Sequence, residues 1–364
     1  MKTLIRGNHA LCEGAFAAGC DAYFGYPITP QNEIPVYMSR RMNELGKIFV
    51  QAESELAAIS MVFGAAVAGK RAMTSSSSPG ISLKQEGISY MAGCELPGVI
   101  ININRGGPGL GNISGSQSDY FQATRGGGHG DYHTIVLAPY SVQEMYEHTV
   151  LAFYLADMYR MPVLILSDGI FGQVMESLDL DKAKIFSNSL DEKKLPEKNW
   201  ILTGCKGRKP RLVRSLFMAE GALEKHNYHL EQKYKLISEK EIRFETDVPD
   251  DAGVLVVGYG VAARVVKSAV NRLQKEGKKV GMFRPVTLWP FPYKELSKSA
   301  EKVRKILVIE LNSGQMVEDV KLAVEGRVPV EFFGKPGGGV ITEEEILTAV
   351  ASCELREKTK KETA

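Results

Sequence analysis

The sequence predicts an α/β protein built on parallel sheets with helices on both faces, and three observations carry that prediction. Short apolar runs alternate with helix-length segments through most of the chain. The runs read as strands buried on both faces, as in a doubly wound parallel sheet. The 364 residues and 44% hydrophobic content exceed what one core usually takes, which predicts two domains.

Taken in order, Gly7–Gly19 is alanine-rich and reads as a helix, so the start reads as helical. Lys2 and Arg6 ahead of Ala17-Ala18-Gly19-Cys20 imitate a lipoprotein leader. Asn8, His9 and Glu13 interrupt the apolar stretch of about 7–15 residues that a leader needs. A cytosolic protein is expected. Ala22–Tyr26 is a short strand, stopped by Pro27-Ile-Thr-Pro30. Lys47–Val50 is a strand leading into a helix that ends at Gly69. Arg71–Thr74 is a strand, Ser75–Gly80 a loop and Ser82–Ala92 a helix. Gly98–Asn104 is a strand that enters Arg105-Gly-Gly-Pro-Gly-Leu-Gly111. Val142–Tyr159 is a helix and Pro162–Ser167 a strand.

From about Glu176 to Glu245 the alternation stops and charge rises, which predicts a surface-wrapping connection with a helix over Arg214–Tyr234. A second α/β unit follows: strands at Gly253–Gly258, Val280–Phe283 and Lys305–Glu310, and helices over Ala262–Glu276 and Glu343–Ala351. Glu354–Ala364 is a charged tail, expected to fray.

Bulk chemistry excludes several functions. A net charge of +2 gives no electrostatic case for nucleic acid or an anionic membrane. No run approaches the ~20 apolar residues of a membrane span. The five cysteines form no Cys-x-x-Cys unit, so zinc-finger and iron–sulfur ligand patterns are missing.

The most informative single residue is Glu55. Residues 56–69 carry no charged side chain, and Ser60 is their only polar one. A helix apolar all round is buried, and a carboxylate entering it is paired, hydrogen-bonded or functional. Glu53 lies about 200° away around the same helix, so the two acids cannot share a partner. The bland alternative is that both complement the helix dipole in the first turn. It accounts for their position but not for the apolar surroundings of Glu55.

Three further constellations invite chemistry. Arg105 ends a strand at a glycine-rich loop, where ligands of open sheets sit, and Arg suits bidentate capture of a carboxylate. A surface arginine capping the strand is an equal alternative. Gly258-Tyr-Gly260-Val-Ala-Ala263 imitates a dinucleotide turn, but the next strand ends Phe283-Arg284-Pro285 without the ribose-binding acid. Arg284 leaves NADP open, and a tight turn needing glycines is the favoured reading. His129 and His133 have metal-ligand spacing without a third ligand, so a structural role is favoured.

Several segments, in order along nearly the whole chain, resemble one family. Tyr26-Pro-Ile-Thr-Pro30, Glu53-Ser-Glu55 and Asn104-Arg105-Gly-Gly-Pro-Gly are similar to the α subunit of 2-oxoacid:ferredoxin oxidoreductases. So are Arg284–Pro292, Glu310-Leu-Asn-Ser-Gly-Gln315 and Gly334-Lys-Pro-Gly-Gly. Ser116–Tyr132 looks most like the branched-chain form acting on 2-oxoisovalerate, with the 2-oxoglutarate form as the near alternative. The resemblance implies a pyrimidine-binding (thiamine diphosphate) domain over 1–185, a connecting segment over 186–248 and a transketolase C-terminal-like domain over 249–353, before the tail at 354–364. It also implies that Glu55 bonds the cofactor's aminopyrimidine, that Arg105 takes the substrate carboxylate and that Thr29 contacts substrate at the cofactor.

The chain lacks a Gly-Asp-Gly…Asn diphosphate motif: Gly130-Asp131 is followed by Tyr132. The resemblance therefore implies a β subunit that brings the diphosphate with its Mg²⁺ and a 4Fe–4S cluster. Small γ and ferredoxin-like δ subunits would complete the complex. CoA, a 2-oxoacid and ferredoxin would be the reactants, and acyl-CoA the product. The different-class alternatives are an NAD(P) oxidoreductase using Gly258–Ala263 and a non-catalytic scaffold.

Overall fold

The computed structural model describes the backbone of residues 1–362 and the side chains of residues 1–353. The chain opens with β1 (Lys2–Arg6) and α1 (Gly7–Ala17), so the start is a strand before it is a helix. The strand is legible only from its partner, β8, to which it pairs antiparallel. There follow β2 (Ala22–Gly25), α2 (Glu33–Glu44), β3 (Ile48–Gln51), α3 (Glu55–Val67) and β4 (Ala72–Ser76). Next come α4 (Ser78–Gly93), β5 (Gly98–Asn104), α5 (Tyr120–Thr124), β6 (Ile135–Leu137), α6 (Val142–Tyr159) and β7 (Pro162–Asp168). A short α7 (Gly169–Gln173) leads to β8 (Met175–Asp179) and α8 (Leu180–Ser189).

Residues 195–221 form no helix or strand. Of these, Trp200 lies on α3, where its indole donates to the Ala66 carbonyl at 3.0 Å, and Phe217 stacks on His226. The helix expected from Arg214 starts later, as α9 (Ala222–Lys240). Gly221 precedes it at a φ of +69°, a left-handed conformation that stops a helix from extending backwards.

The second half holds β9 (Phe244–Asp247), β10 (Ala252–Val257), α10 (Gly260–Lys275), β11 (Val280–Pro285), β12 (Thr287–Trp289) and α11 (Tyr293–Ala300). It ends with β13 (Val303–Glu310), α12 (Met316–Val324), β14 (Val330–Gly334) and α13 (Glu343–Glu362). The last helix thus continues past Ala351 into the charged tail. Thr363 and Ala364 lie outside the described residues.

The first sheet has the order β12-β6-β7-β5-β4-β2-β3 and is parallel except for β12, which pairs antiparallel with β6. The second has the order β14-β13-β10-β11-β9, with β9 antiparallel. Alternation along β5 explains the two faces. Val99, Ile101 and Ile103 enter the core under α1, α2 and α6, and Ile100 enters the one under α3 and α4. The latter core runs on without a break into Val257, Phe283 and Val320 of the second half.

The helix α3 is buried on one face only. Ala58, Ile59, Val62 and Ala66 are packed, whereas Leu56 is 47% exposed. Its apolar sequence therefore overstates what this chain alone covers. Among the described residues no helix is long and apolar enough to cross a membrane.

Candidate active site

The carboxyl ends of β2, β3, β4 and β5 converge, as ligand sites of open α/β sheets require. Thr29 lies in the turn after β2. Glu55 is the first residue of α3. The Ser54 hydroxyl caps that helix by accepting from the Ala57 N–H at 3.2 Å. Glu53 therefore precedes the helix and is exposed, not a first-turn residue as its spacing suggested. Glu55 is only 5% exposed. No hydrogen bond or ion pair reaches its carboxylate among the described residues. A buried carboxylate without a donor is costly, which marks Glu55 as a candidate for binding chemistry.

Arg105 is 6% exposed. Its guanidinium donates to the Thr29 carbonyl at 2.9 Å and to the Leu110 carbonyl at 3.0 Å. Its Nε is buried without a partner. The surface-capping alternative for Arg105 is thereby removed.

The first turn of α4 connects the arginine and the acid. The Ser78 hydroxyl accepts from the Arg105 N–H at 3.1 Å. Two residues on, Gly80 packs so closely that a Cβ there would overlap the Ser76 hydroxyl and Glu55 Oε1. Arg105 thus touches Thr29 directly, and the first turn of α4 lies between Arg105 and Glu55. The hydroxyls of Thr74, Ser76 and Ser77 and the Asn104 amide nitrogen are also buried without partners.

Sequence reasoning missed Ser78, Asn102 and Asp119. The Asn102 amide accepts from the Ser78 N–H at 3.2 Å and donates to Asp119 at 2.8 Å. Burial pushes the Asp119 carboxyl above its usual range, against the bonds from Ser78 and Asn102. Two asparagines spaced to share one face of an otherwise apolar strand were the available signal.

The second half clamps the loop that follows Arg105. Gln117 donates to the Tyr259 carbonyl at 2.8 Å and accepts from the Leu311 N–H at 2.9 Å. Asn112 donates to the Gly337 carbonyl at 2.7 Å. The Glu310 carboxylate, fully buried, accepts from the N–H groups of Met316 at 2.9 Å and Val317 at 3.0 Å. The Glu310–Gln315 and Gly334–Gly338 segments are thus the lock on the Arg105 loop.

The remaining candidates resolve into structure. Gln117 stands against Gly260, which adopts a φ of +51°, so the glycine turn serves the backbone. Arg284 is 1% exposed, forks onto Glu144 at 2.7 and 2.8 Å and stacks on Tyr140 at 3.7 Å. It has no room for a nucleotide phosphate. His133 stacks on Trp289 at 4.5 Å, and the His129 carbonyl accepts from Ser89. No cluster of three or more His, Cys, Asp or Glu among the described residues could hold a metal.

A parallel-sheet domain with an acid, an arginine and a threonine at its strand ends, locked by a smaller α/β unit, is the class that comparison with known proteins identifies. Residues 13–242 match the thiamine diphosphate-binding model of the pyruvate flavodoxin/ferredoxin oxidoreductases, and residues 252–346 match core domain II of pyruvate:ferredoxin oxidoreductase. The chain belongs to this family. It is 47% identical to a ketoisovalerate oxidoreductase subunit of Methanothermobacter marburgensis, over 95% of this chain and 96% of that one. A 2-oxoglutarate synthase subunit of Methanothermobacter thermautotrophicus is 37% identical, over 95% and 97%. Among solved structures, the 2-oxoglutarate:ferredoxin oxidoreductase of Magnetococcus marinus, with 2-oxoglutarate, coenzyme A and succinyl-CoA bound, superposes with a TM-score of 0.88 at 27% identity. This chain covers 65% of that one.

The residues present fit the thiamine half of such a cofactor. A largely buried residue whose carboxylate has no donor suits an aminopyrimidine ring nitrogen, and the unpartnered Ser76, Ser77 and Asn104 suit its polar edge.

Proposed function

We propose that this chain is the α-type catalytic subunit of a thiamine diphosphate-dependent 2-oxoacid:ferredoxin oxidoreductase acting on 2-oxoisovalerate. The reaction would be oxidative decarboxylation with CoA, giving acyl-CoA, CO₂ and reduced ferredoxin. The observation that carries the proposal is the buried, donorless Glu55 carboxylate beside the Thr29–Arg105 pair. The branched-chain substrate rests on the 47% identical relative against the 37% identical one.

Thiamine diphosphate supplies the electron sink for decarboxylation. Glu55 would hold the proton shared with its aminopyrimidine ring. Arg105, fixed by two backbone carbonyls, would take the substrate carboxylate, and Thr29 would sit beside the reacting carbon. The absence of a side chain at Gly80 lets the first turn of α4 close onto Ser76 and the acid.

The chain carries neither a diphosphate motif nor clustered cysteines. We therefore assign the diphosphate, its Mg²⁺ and the 4Fe–4S clusters to partner chains: a β subunit, with γ and ferredoxin-like δ subunits completing the enzyme in the cytoplasm. The purified chain alone is expected to be inactive. Reconstituted with its β partner, it is expected to reduce viologen with 2-oxoisovalerate and CoA at least ten times more efficiently than with 2-oxoglutarate. Equal efficiency would overturn the substrate assignment, and activity of the isolated chain would overturn the shared site.

A further inference from the structure

Lys84 is a buried charge without a structural reason. It lies on α4, its side chain is fully buried, and its ammonium makes one long hydrogen bond, to the Glu55 carbonyl at 3.4 Å. Among the described residues no carboxylate comes within ion-pair distance of it. Taking an ammonium out of water costs several kcal/mol unless close partners repay it, and an apolar residue of similar volume is the more stable choice. The location adds a second cost. The bonded carbonyl belongs to the first residue of α3, whose amino terminus carries positive dipole charge and disfavours a cation.

The burial is felt by the group itself. Desolvation lowers the Lys84 ammonium to about 8, so it remains mostly charged at neutral pH, and Glu55 is the charged group that opposes the lowering. The neighbouring ionisable groups are otherwise engaged. Asp119 is bonded to Asn102, and Arg105 is bonded to Thr29 and Leu110. Glu53, ahead of α3, and Glu86, midway along α4, are exposed, and Glu86 accepts from the Tyr90 hydroxyl at 2.7 Å. The charge of Lys84 thus acts on Glu55 above all.

We propose that Lys84 is the positioning residue of Glu55: its ammonium anchors the first turn of α3 and supplies the buried positive charge that balances the Glu55 carboxylate. The proposal rests on the thiamine-binding reading of Glu55. It adds a residue that the turn-and-acid pattern of the sequence does not contain. A cation held behind the acid, on its backbone, leaves both carboxylate oxygens free for the ring.

The test uses the reconstituted complex loaded with thiamine diphosphate. Two quantities are measured for wild type, Lys84→Met and Lys84→Arg: the dissociation constant of thiamine diphosphate by calorimetry, and the pH profile of hydrogen–deuterium exchange at its thiazolium C2. Lys84→Met is expected to weaken cofactor binding about 5- to 10-fold and to move the acid limb of the exchange profile up by about one pH unit, the effect of losing a nearby opposite charge. Lys84→Arg, which keeps the charge, is expected to leave the limb where it is.

An unshifted profile in Lys84→Met would overturn the proposal and leave Lys84 a packing residue. A limb shifted equally in Lys84→Arg would overturn it as well. If Lys84→Met does not assemble, Lys84→Gln takes its place and is read by the same two criteria. Failure of the wild-type complex to bind the cofactor or exchange C2 would instead overturn the thiamine-binding reading itself.

Discussion

The Arg105 guanidinium donates to the Thr29 carbonyl at 2.9 Å, joining the end of β5 to the turn after β2. The arginine is therefore held in one orientation, with its unpartnered Nε among the donors left over. Replacing Arg105 by Ala is expected to raise the KM for the 2-oxoacid about 10- to 100-fold, the range of one charge-assisted hydrogen bond. Lysine should recover little of this, because an ammonium lacks the planar fork that holds two carbonyls and meets a carboxylate in a fixed geometry. Steady-state kinetics over a 2-oxoacid series decide it, and an unchanged KM in Arg105→Ala argues against the carboxylate role.

Gly80 is expected to tolerate no side chain. Its Cβ would overlap Ser76 and the Glu55 carboxylate, so Gly80→Ala must displace α4 or the acid. Overpacking of this kind costs about 1–3 kcal/mol. The expected result is a lower melting temperature and a loss of turnover larger than the stability loss explains. Full turnover in Gly80→Ala would mean that the carboxylate need not sit where it does.

The nucleotide alternative makes an opposite demand on Arg284. An arginine buried against Glu144 is expected to act on stability: Arg284→Ala should cost about 3–5 kcal/mol by stranding the carboxylate. A fluorescence titration of the wild-type complex with NADPH should show no saturable binding. Saturation that is lost in Arg284→Ala would revive the dinucleotide reading.

The same junction carries a pH signature. Burial lowers His148 to about 4, with Glu144 opposing and Arg284 assisting. The folded state holds this ring neutral, whereas the unfolded chain protonates it near 6.5. Stability from this group is complete above pH 6.5, falls as the pH drops, and stops falling below about 4. The loss is roughly 3 kcal/mol. The comparison is wild type against His148→Gln in urea melts between pH 4 and 7.5. The gap between the two curves should narrow toward low pH, and parallel curves would refute a neutral buried His148.

How much of this was legible varies with how local the cause is. Glu55 stood out because a charge opens a run without charges, and Arg105 because it ends an apolar strand. Both signals are local. Lys84 gave none, because Ser82–Ala92 already contains polar residues and a lysine there reads as solvated. Only the approach of α3 to α4 buries it.

The strand β12 was hidden for a similar reason. Three residues of the second half complete the first sheet by pairing with Val136 and Leu137, some 150 positions earlier. The helix α2 was obscured by Pro35, which reads as a breaker yet sits in the first turn, where its missing N–H is not needed. The buried appearance of α3 was misleading in a useful way. Its exposed Leu56 marks apolar surface that this chain leaves uncovered.

The central claim is that Glu55 is this chain's contribution to a shared thiamine site. The direct measurement is turnover of the reconstituted complex carrying Glu55→Gln, with assembly followed by gel filtration and cofactor content. The Glu55→Gln complex is expected to assemble normally and to turn over at least about a thousand-fold more slowly, the upper part of the range for losing a positioned proton-transfer group. Normal turnover by an intact Glu55→Gln complex would contradict it.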